Sequence, residues 1–237
     1  MKKISVNKIN DDESQFYEMV ITENEELCKY LIDCNIGNVK IPSGIKTINS
    51  GIFDVRFPKI IKKTEPKNGY NIMEAFYQIR INKLFIPKTV ETIKEEAFKF
   101  AEIHEFIIEK PNEAIHLVNG LLLNDKKDIL LACSGSYDSN QPWPNTVKRI
   151  GKNAFSSVDF MSCVELDIPE GVKEIGADAF GGAYGIIDIY LPRSIELIGE
   201  RGLQYDEGEY PYIYVYENSY AHKYVVEHKI KHRFRLD

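Results

Sequence analysis

The chain has 237 residues and a formal net charge of −6, which argues against the basic footprint that nucleic-acid binding requires. Its 43% hydrophobic and 28% charged residues are those of an ordinary soluble globular protein, and no apolar run approaches the length of a membrane-crossing helix. Lys2 and Lys3 have no apolar segment behind them, so the start does not read as a signal peptide. The expected setting is cytoplasmic, or surface or secreted if an export signal lies outside the sequence.

Cys28, Cys34, Cys133 and Cys163 show neither C-x-x-C nor finger spacing, so they read as reduced thiols acting as small core residues. A Cys28–Cys34 disulfide is the alternative for an exported chain. Residues 1–15 read as a polar leader, acidic at Asp11-Asp12-Glu13. In residues 16–36, Tyr17, Met19 and Ile21 alternate before Asn24-Glu25-Glu26, and Leu27, Tyr30, Leu31 and Ile32 follow. That predicts a hairpin serving as an N-terminal cap.

Residues 37–210 repeat one pattern: an apolar residue and Pro, then apolar positions three and six after the Pro, and a pair at ten and eleven that is small-plus-Phe in its clearest copies. Ile41-Pro42 is followed by Ile45, Ile48, Ile52 and Phe53, and Ile86-Pro87 by Val90, Ile93, Ala97 and Phe98. Trp143-Pro144 is followed by Val147, Ile150, Ala154 and Phe155; Ile168-Pro169 by Val172, Ile175, Ala179 and Phe180; Leu191-Pro192 by Ile195, Ile198, Gly202 and Leu203. One unit buries side chains worth about 1.5–3 kcal/mol each. Ordering it costs about 1–2 kcal/mol per residue. It therefore has to share a core with its neighbours, which predicts a solenoid.

Leu166-x-Ile168 and Ile189-x-Leu191 read as short strands that Pro closes. The second half of each unit fits either a further short strand or a helical turn. Pro42 and Pro87 stand 45 residues apart, so a worn copy is expected between them, at Pro66, Gly69, Ile72, Ala75 and Phe76. An additional strand is expected at 55–58, with a lysine-rich loop over 59–67. A hairpin insertion is expected near 105–140: two strands, Ile115 to Leu123 and Ile129 to Leu131, around a polar turn, then a flexible loop from Ser134 to Asn140. Ile213 to Tyr216 occupies the next strand position. A helix N-capped by Asn218 or Ser219 runs to Glu227, and a strand over Ile230 to Leu236 completes a C-terminal cap at 211–237.

Val172-Lys173-Glu174-Ile175-Gly176-Ala177-Asp178-Ala179-Phe180 and Val147-Lys148-Arg149-Ile150-Gly151-Lys152-Asn153-Ala154-Phe155 resemble the units of the BspA-like leucine-rich repeats. The Val118-Asn119-Gly120-Leu121-Leu122 insertion and the closing Asn218-Ser219-Tyr220-Ala221 are similar to that family's variants. The resemblance covers roughly residues 16–237 and implies a right-handed curved solenoid with a sheet on one face. Family members are often bacterial surface proteins used in adhesion or host-protein binding. The expected fold is thus a single leucine-rich-repeat solenoid over 16–237, mostly short β-strands with helical or 3-10 turns, capped at both ends.

Ser134-Gly135-Ser136 lacks the strand-to-helix elbow of a nucleophile and reads as a plain loop. His228 and His232 are four apart and would share a metal on a continuous helix, but a strand is expected by His232. Lys229, Lys231, Arg233 and Arg235 read as charges guarding an edge strand, with an acidic partner or phosphate as the alternative. The better candidate is a row. If its neighbours point inward, Lys40, Arg56, Phe85, Asp167, Tyr190 and Tyr214 face one exposed side of successive strands. Tyr210, Tyr212 and Tyr216 extend it, unless the closing helix packs over them. Rigid exposed rings favour recognition. The sequence therefore predicts a monomeric, non-catalytic module presenting a curved sheet face, with Phe85, Asp167, Tyr190, Tyr212, Tyr214 and Tyr216 as the candidate surface. Its expected ligand is a protein or peptide, with a glycan or adhesion role as the alternative; no cofactor, metal or catalytic residue is assigned.

Overall fold

The computed structural model describes residues 2–7, 16–32, 36–53, 79–156, 158–204 and 211–236. The expected worn copy, the strand at 55–58, the loop at 59–67, Arg56, Tyr210 and Cys34 lie outside the described residues.

The chain winds as a β-solenoid of about seven turns. It opens with β1 (Lys2–Asn7), β2 (Phe16–Ile21) and β3 (Glu26–Ile32), each antiparallel to the next. The first residues, expected as part of a loose leader, thus contain a paired strand. A first face then carries the longer strands β4 (Ile36–Lys40), β6 (Ile79–Ile86) and β8 (Ala101–Ile108), parallel to one another. Short strands β5 (Thr47–Ile48) and β7 (Thr92–Ile93) continue in parallel from β3 on a second face.

Each repeat's Pro acts as expected. The residue before it gives the last ladder bond of its strand, Ile41 N–H to Phe85 O, Ile168 N–H to Tyr190 O and Leu191 N–H to Tyr214 O. Pro has no N–H to continue with, so the chain turns. The alternative left open for the second half resolves as a two-residue strand followed by a tight turn. Those turns are closed by i+3→i bonds such as Ala97 N–H to Lys94 O and Gly202 N–H to Gly199 O. Position nine after the Pro is left-handed in all five copies: Gly51, Glu96, Asn153, Asp178 and Arg201 have φ of 65°, 62°, 54°, 50° and 53°.

The insertion holds three strands, not two: β9 (His116–Val118), β10 (Leu121–Leu123) and β11 (Ile129–Cys133). Asn119 (φ 49°) and Gly120 (φ 75°) form a left-handed two-residue turn that cuts the first apolar run in half. β11 then joins the second face in parallel with β12 (Arg149–Ile150). Beyond it come β13 (Asp159–Asp167), β14 (Glu174–Ile175), β15 (Tyr184–Tyr190), β16 (Leu197–Ile198) and β17 (Tyr212–Val215). Helix α1 (Tyr220–Glu227) and β18 (His232–Phe234) follow. The sheets run β4-β6-β8 and β13-β15-β17-β18 on the first face, and β1-β2-β3-β5-β7 and β16-β14-β12-β11-β10-β9 on the second.

The apolar positions named in all five copies are buried between these faces. Phe53 and Phe98 lie 6.3 Å apart, and Phe155 stacks on Phe180 at 5.0 Å. Ser219 is the N-cap of α1, accepting the His222 N–H, and α1 turns Ala221, Tyr224 and Val225 into the core. Cys133 is buried and unbridged, and burial pushes its thiol well up.

Candidate binding face

The four-stranded sheet sets its side chains by register. Asp167, Tyr190, Tyr214 and Arg233 are successive partners across β13, β15, β17 and β18. Two residues earlier, Glu165, Asp188 and Tyr212 form a second row. Leu166, Ile189 and Ile213 lie between the rows and point into the core, so both rows face outward. A register shift between Val164 and Glu165 leaves Ile187 unpaired on β15 and turns it toward the groove described below.

The tyrosines are shingled with cations. Tyr190 and Tyr214 stack at 4.4 Å and 18°. Arg233 donates to the Tyr214 hydroxyl at 3.1 Å and lies over Tyr212 at 4.0 Å, where Lys231 also sits at 4.2 Å. Arg193 covers Tyr216 at 3.9 Å. Arg235 lies 5.6 Å from the Tyr190 ring and 5.4 Å from that of Tyr216, and donates two hydrogen bonds to Asp167, at 2.8 and 3.0 Å. Burial, helped by Glu165 and Asp188, pushes the Tyr190 phenol up to about 12. Burial and then the charge of Glu165 raise Asp188, whereas a hydrogen bond with Lys231 draws the Tyr212 phenol down.

Two concavities flank the Asp167–Arg235 bridge. One, of about 920 Å³, is lined by both tyrosines of the stack with Glu165, Ile187, Phe234 and Leu236. The other, of about 480 Å³, runs past Tyr137, Pro142, Trp143, Pro169, Pro192 and Tyr216. Ser139, Asn140, Asp167 and Arg235 line both. The loop wall is fixed from inside. Buried Trp143 donates its indole N–H to the Tyr137 hydroxyl at 2.9 Å, and Asn119 donates to Asp138 O at 2.8 Å.

Of the expected surface, Asp167, Tyr190, Tyr212, Tyr214 and Tyr216 are therefore together. Phe85 occupies the equivalent place in the other sheet, beside Lys40 and Ile107, with the Lys40 amine 5.7 Å from its ring. The two sheets do not pair: Gly135 and Ser136 donate instead to Ile103 O and His104 O at the outer edge of β8. The closing helix does not cover the tyrosines; α1 packs towards β16, and the Tyr224 hydroxyl donates to Gly199 O. Side chains from and beside β18 cover them, together with Arg193 from the turn after β15. Arg193 was not singled out from the sequence; Arg233 and Arg235 were read as charges guarding an edge strand, and their place over the tyrosines carried a signal. The basic alternation 229–231–233–235 matches the tyrosine alternation 212–214–216.

The other candidates stay apart from chemistry. Ser134 is buried, 2.9 Å from the Ser136 hydroxyl. His228 ends α1, stacked on Tyr224, whereas His232 lies on β18 against His222.

Sequence comparison matches the model of the BspA type leucine rich repeat region in six copies, over residues 29–117 and 135–208. The chain belongs to this family. A search of curated proteins finds no match. Among solved structures, this BspA-type chain is similar to a leucine-rich repeat protein from Eubacterium ventriosum, with 23% identity and a TM-score of 0.52. That match covers 69% of this chain and 38% of the other, so the chain spans well under half of that protein's length. A leucine rich cell surface protein from Faecalibacterium prausnitzii is 15% identical over 91% of this chain and 49% of its own, with a TM-score of 0.38. The pneumococcal vaccine antigen PcpA is 14% identical over 69% and 58%, with a TM-score of 0.35. At 23% identity the Eubacterium ventriosum likeness speaks for the fold alone. Among the described residues, no helix of the BspA-type chain is long and apolar enough to cross a membrane.

Proposed function

We propose that the chain is a non-catalytic, monomeric binding module whose β13-β15-β17-β18 face docks a protein or peptide. The observation that carries this reading is the tyrosine stack held beside a groove of about 920 Å³. Its rings are fixed by neighbours, so little side-chain entropy remains to be lost on binding. The glycan alternative needs a free flat ring for a sugar to stack on. Tyr190 and Tyr214 cover one another, and Tyr212 and Tyr216 lie under cations, which argues for recognition through hydroxyls, guanidinium groups and carboxylates. The test is affinity capture from the native cell extract with the wild type and with a Tyr190→Ala/Tyr214→Ala variant. The reading expects at least one captured protein to be lost from a variant that melts like the wild type. An unchanged set of captured proteins overturns the choice of face.

A further inference from the structure

The Asp167–Arg235 bridge is unequal. The Arg235 side chain is 23% exposed and lies against two tyrosine rings, whereas Asp167 is 63% exposed. The cation is preorganised and the anion stands largely in water. Exchanging Asp167 for another carboxylate returns Asp167 to solvent at little cost and leaves Arg235 paired in the same bidentate geometry. The bridge also lines both concavities, together with Ser139 and Asn140.

The row two residues earlier has the opposite character. Glu165 and Asp188 are direct register partners. Glu165 accepts a hydrogen bond from the Tyr190 hydroxyl at 3.5 Å, and the charge of Arg233 acts on Asp188. Like charges opposite each other destabilise a sheet. Here burial and then the charge of Glu165 raise Asp188, and Arg233 offsets them only in part. A further cation placed beside them offsets the repulsion between the two carboxylates. The two rows stand about 7 Å apart along the strand, the spacing of residues i and i+2 in an extended chain.

We propose that this groove takes an extended peptide carrying a carboxylate and a cationic side chain two residues apart. The carboxylate takes the place of Asp167 on Arg235, and the cation settles on Glu165 in the groove wall, with Asp188 its neighbour in register. Asp167 is then an internal stand-in that holds the guanidinium ready and keeps weak ligands out. This rests on the binding-face reading above and adds the chemistry of the ligand.

The test uses a fluorophore-labelled peptide, blocked at both ends, of alternating lysine-serine-glutamate-serine, with all-glutamate and all-lysine versions as controls, titrated by anisotropy. Blocked ends remove the terminal carboxylate as a source of binding. The mixed peptide binds tightest. Asp167→Asn strengthens it about fivefold by removing the competitor, an effect that poor folding cannot imitate. Arg235→Gln weakens it by about tenfold or more. Glu165→Gln with Asp188→Asn weakens the mixed peptide and spares the all-glutamate one. Equal binding of the three peptides, or no gain from Asp167→Asn, overturns the proposal. If the mixed peptide binds no variant while a captured protein is still lost from the Tyr190/Tyr214 variant, the ligand chemistry falls and the face stands.

Discussion

Phe180 is fully buried, stacked on Phe155, and sits in a cluster that reaches from Leu121 to Val225. Phe180→Asp puts an unpaired charge there, a substitution that costs several kcal/mol. We expect the variant to lose its cooperative melting transition; a soluble protein melting like the wild type contradicts the placement. Gly185 makes a different point. Its φ is +82°, and a Cβ there would lie 2.4 Å from Phe160 O, so the backbones of β13 and β15 touch where only glycine fits. Gly185→Ala should cost on the order of 2 kcal/mol and lower the melting temperature. The buried positions were legible because the repeat states them five times. The left-handed residues were not, because Glu96 and Arg201 carry no turn signal of their own, and only superposition on Gly51 and Asn153 shows the shared conformation.

At the scale of elements, hydroxyls tie one copy to the next two residues after the Pro. Thr89 accepts the Gly44 N–H and donates to Ile45 O, and Ser194 accepts the Gly171 N–H and donates to Val172 O. Ser194→Ala breaks both bonds and should cost about 1 kcal/mol, read as a small fall in melting temperature with the fold intact. Strands and Pro turns were readable from period and chemistry. The third strand of the insertion was not read, although Asn119-Gly120 is a strong hairpin signal, because the surrounding run Leu117 to Leu123 looks continuous by hydrophobicity alone. The cation layer over the tyrosines escaped for a related reason. An edge strand guarded by charge and a strand whose charges cover a neighbour's rings have the same sequence alternation; register separates them.

For the whole molecule, the insertion raises the question of how the copies either side of it are joined. Arg149 bridges Glu95 by two hydrogen bonds at 2.6 and 2.9 Å across 54 residues, and Glu95 also accepts the Lys152 N–H. Arg149 further pairs with Glu174 at 2.8 Å. Burial pushes the Glu95 carboxyl up, but Arg149 and the Lys152 N–H outweigh it and hold the group below its ordinary value of 4.5. A depressed folded-state value means the stabilisation is fully present above that ordinary value and is lost as pH falls through the folded one. The melting temperatures of the wild type and Glu95→Gln should therefore differ at neutral pH and converge as the pH is lowered below about 4.5. A difference independent of pH would mean that Glu95 acts without its charge.

That frame holds a sheet face with its tyrosines locked, and the central claim is that this face meets the ligand. The most direct measurement is hydrogen–deuterium exchange of the whole chain with and without a protein captured from the native extract. The account predicts slowed exchange in β13, β15, β17 and β18 and the loop from Ser134 to Trp143. Slowing confined to the short strands of the opposite face, β12, β14 and β16, would contradict it.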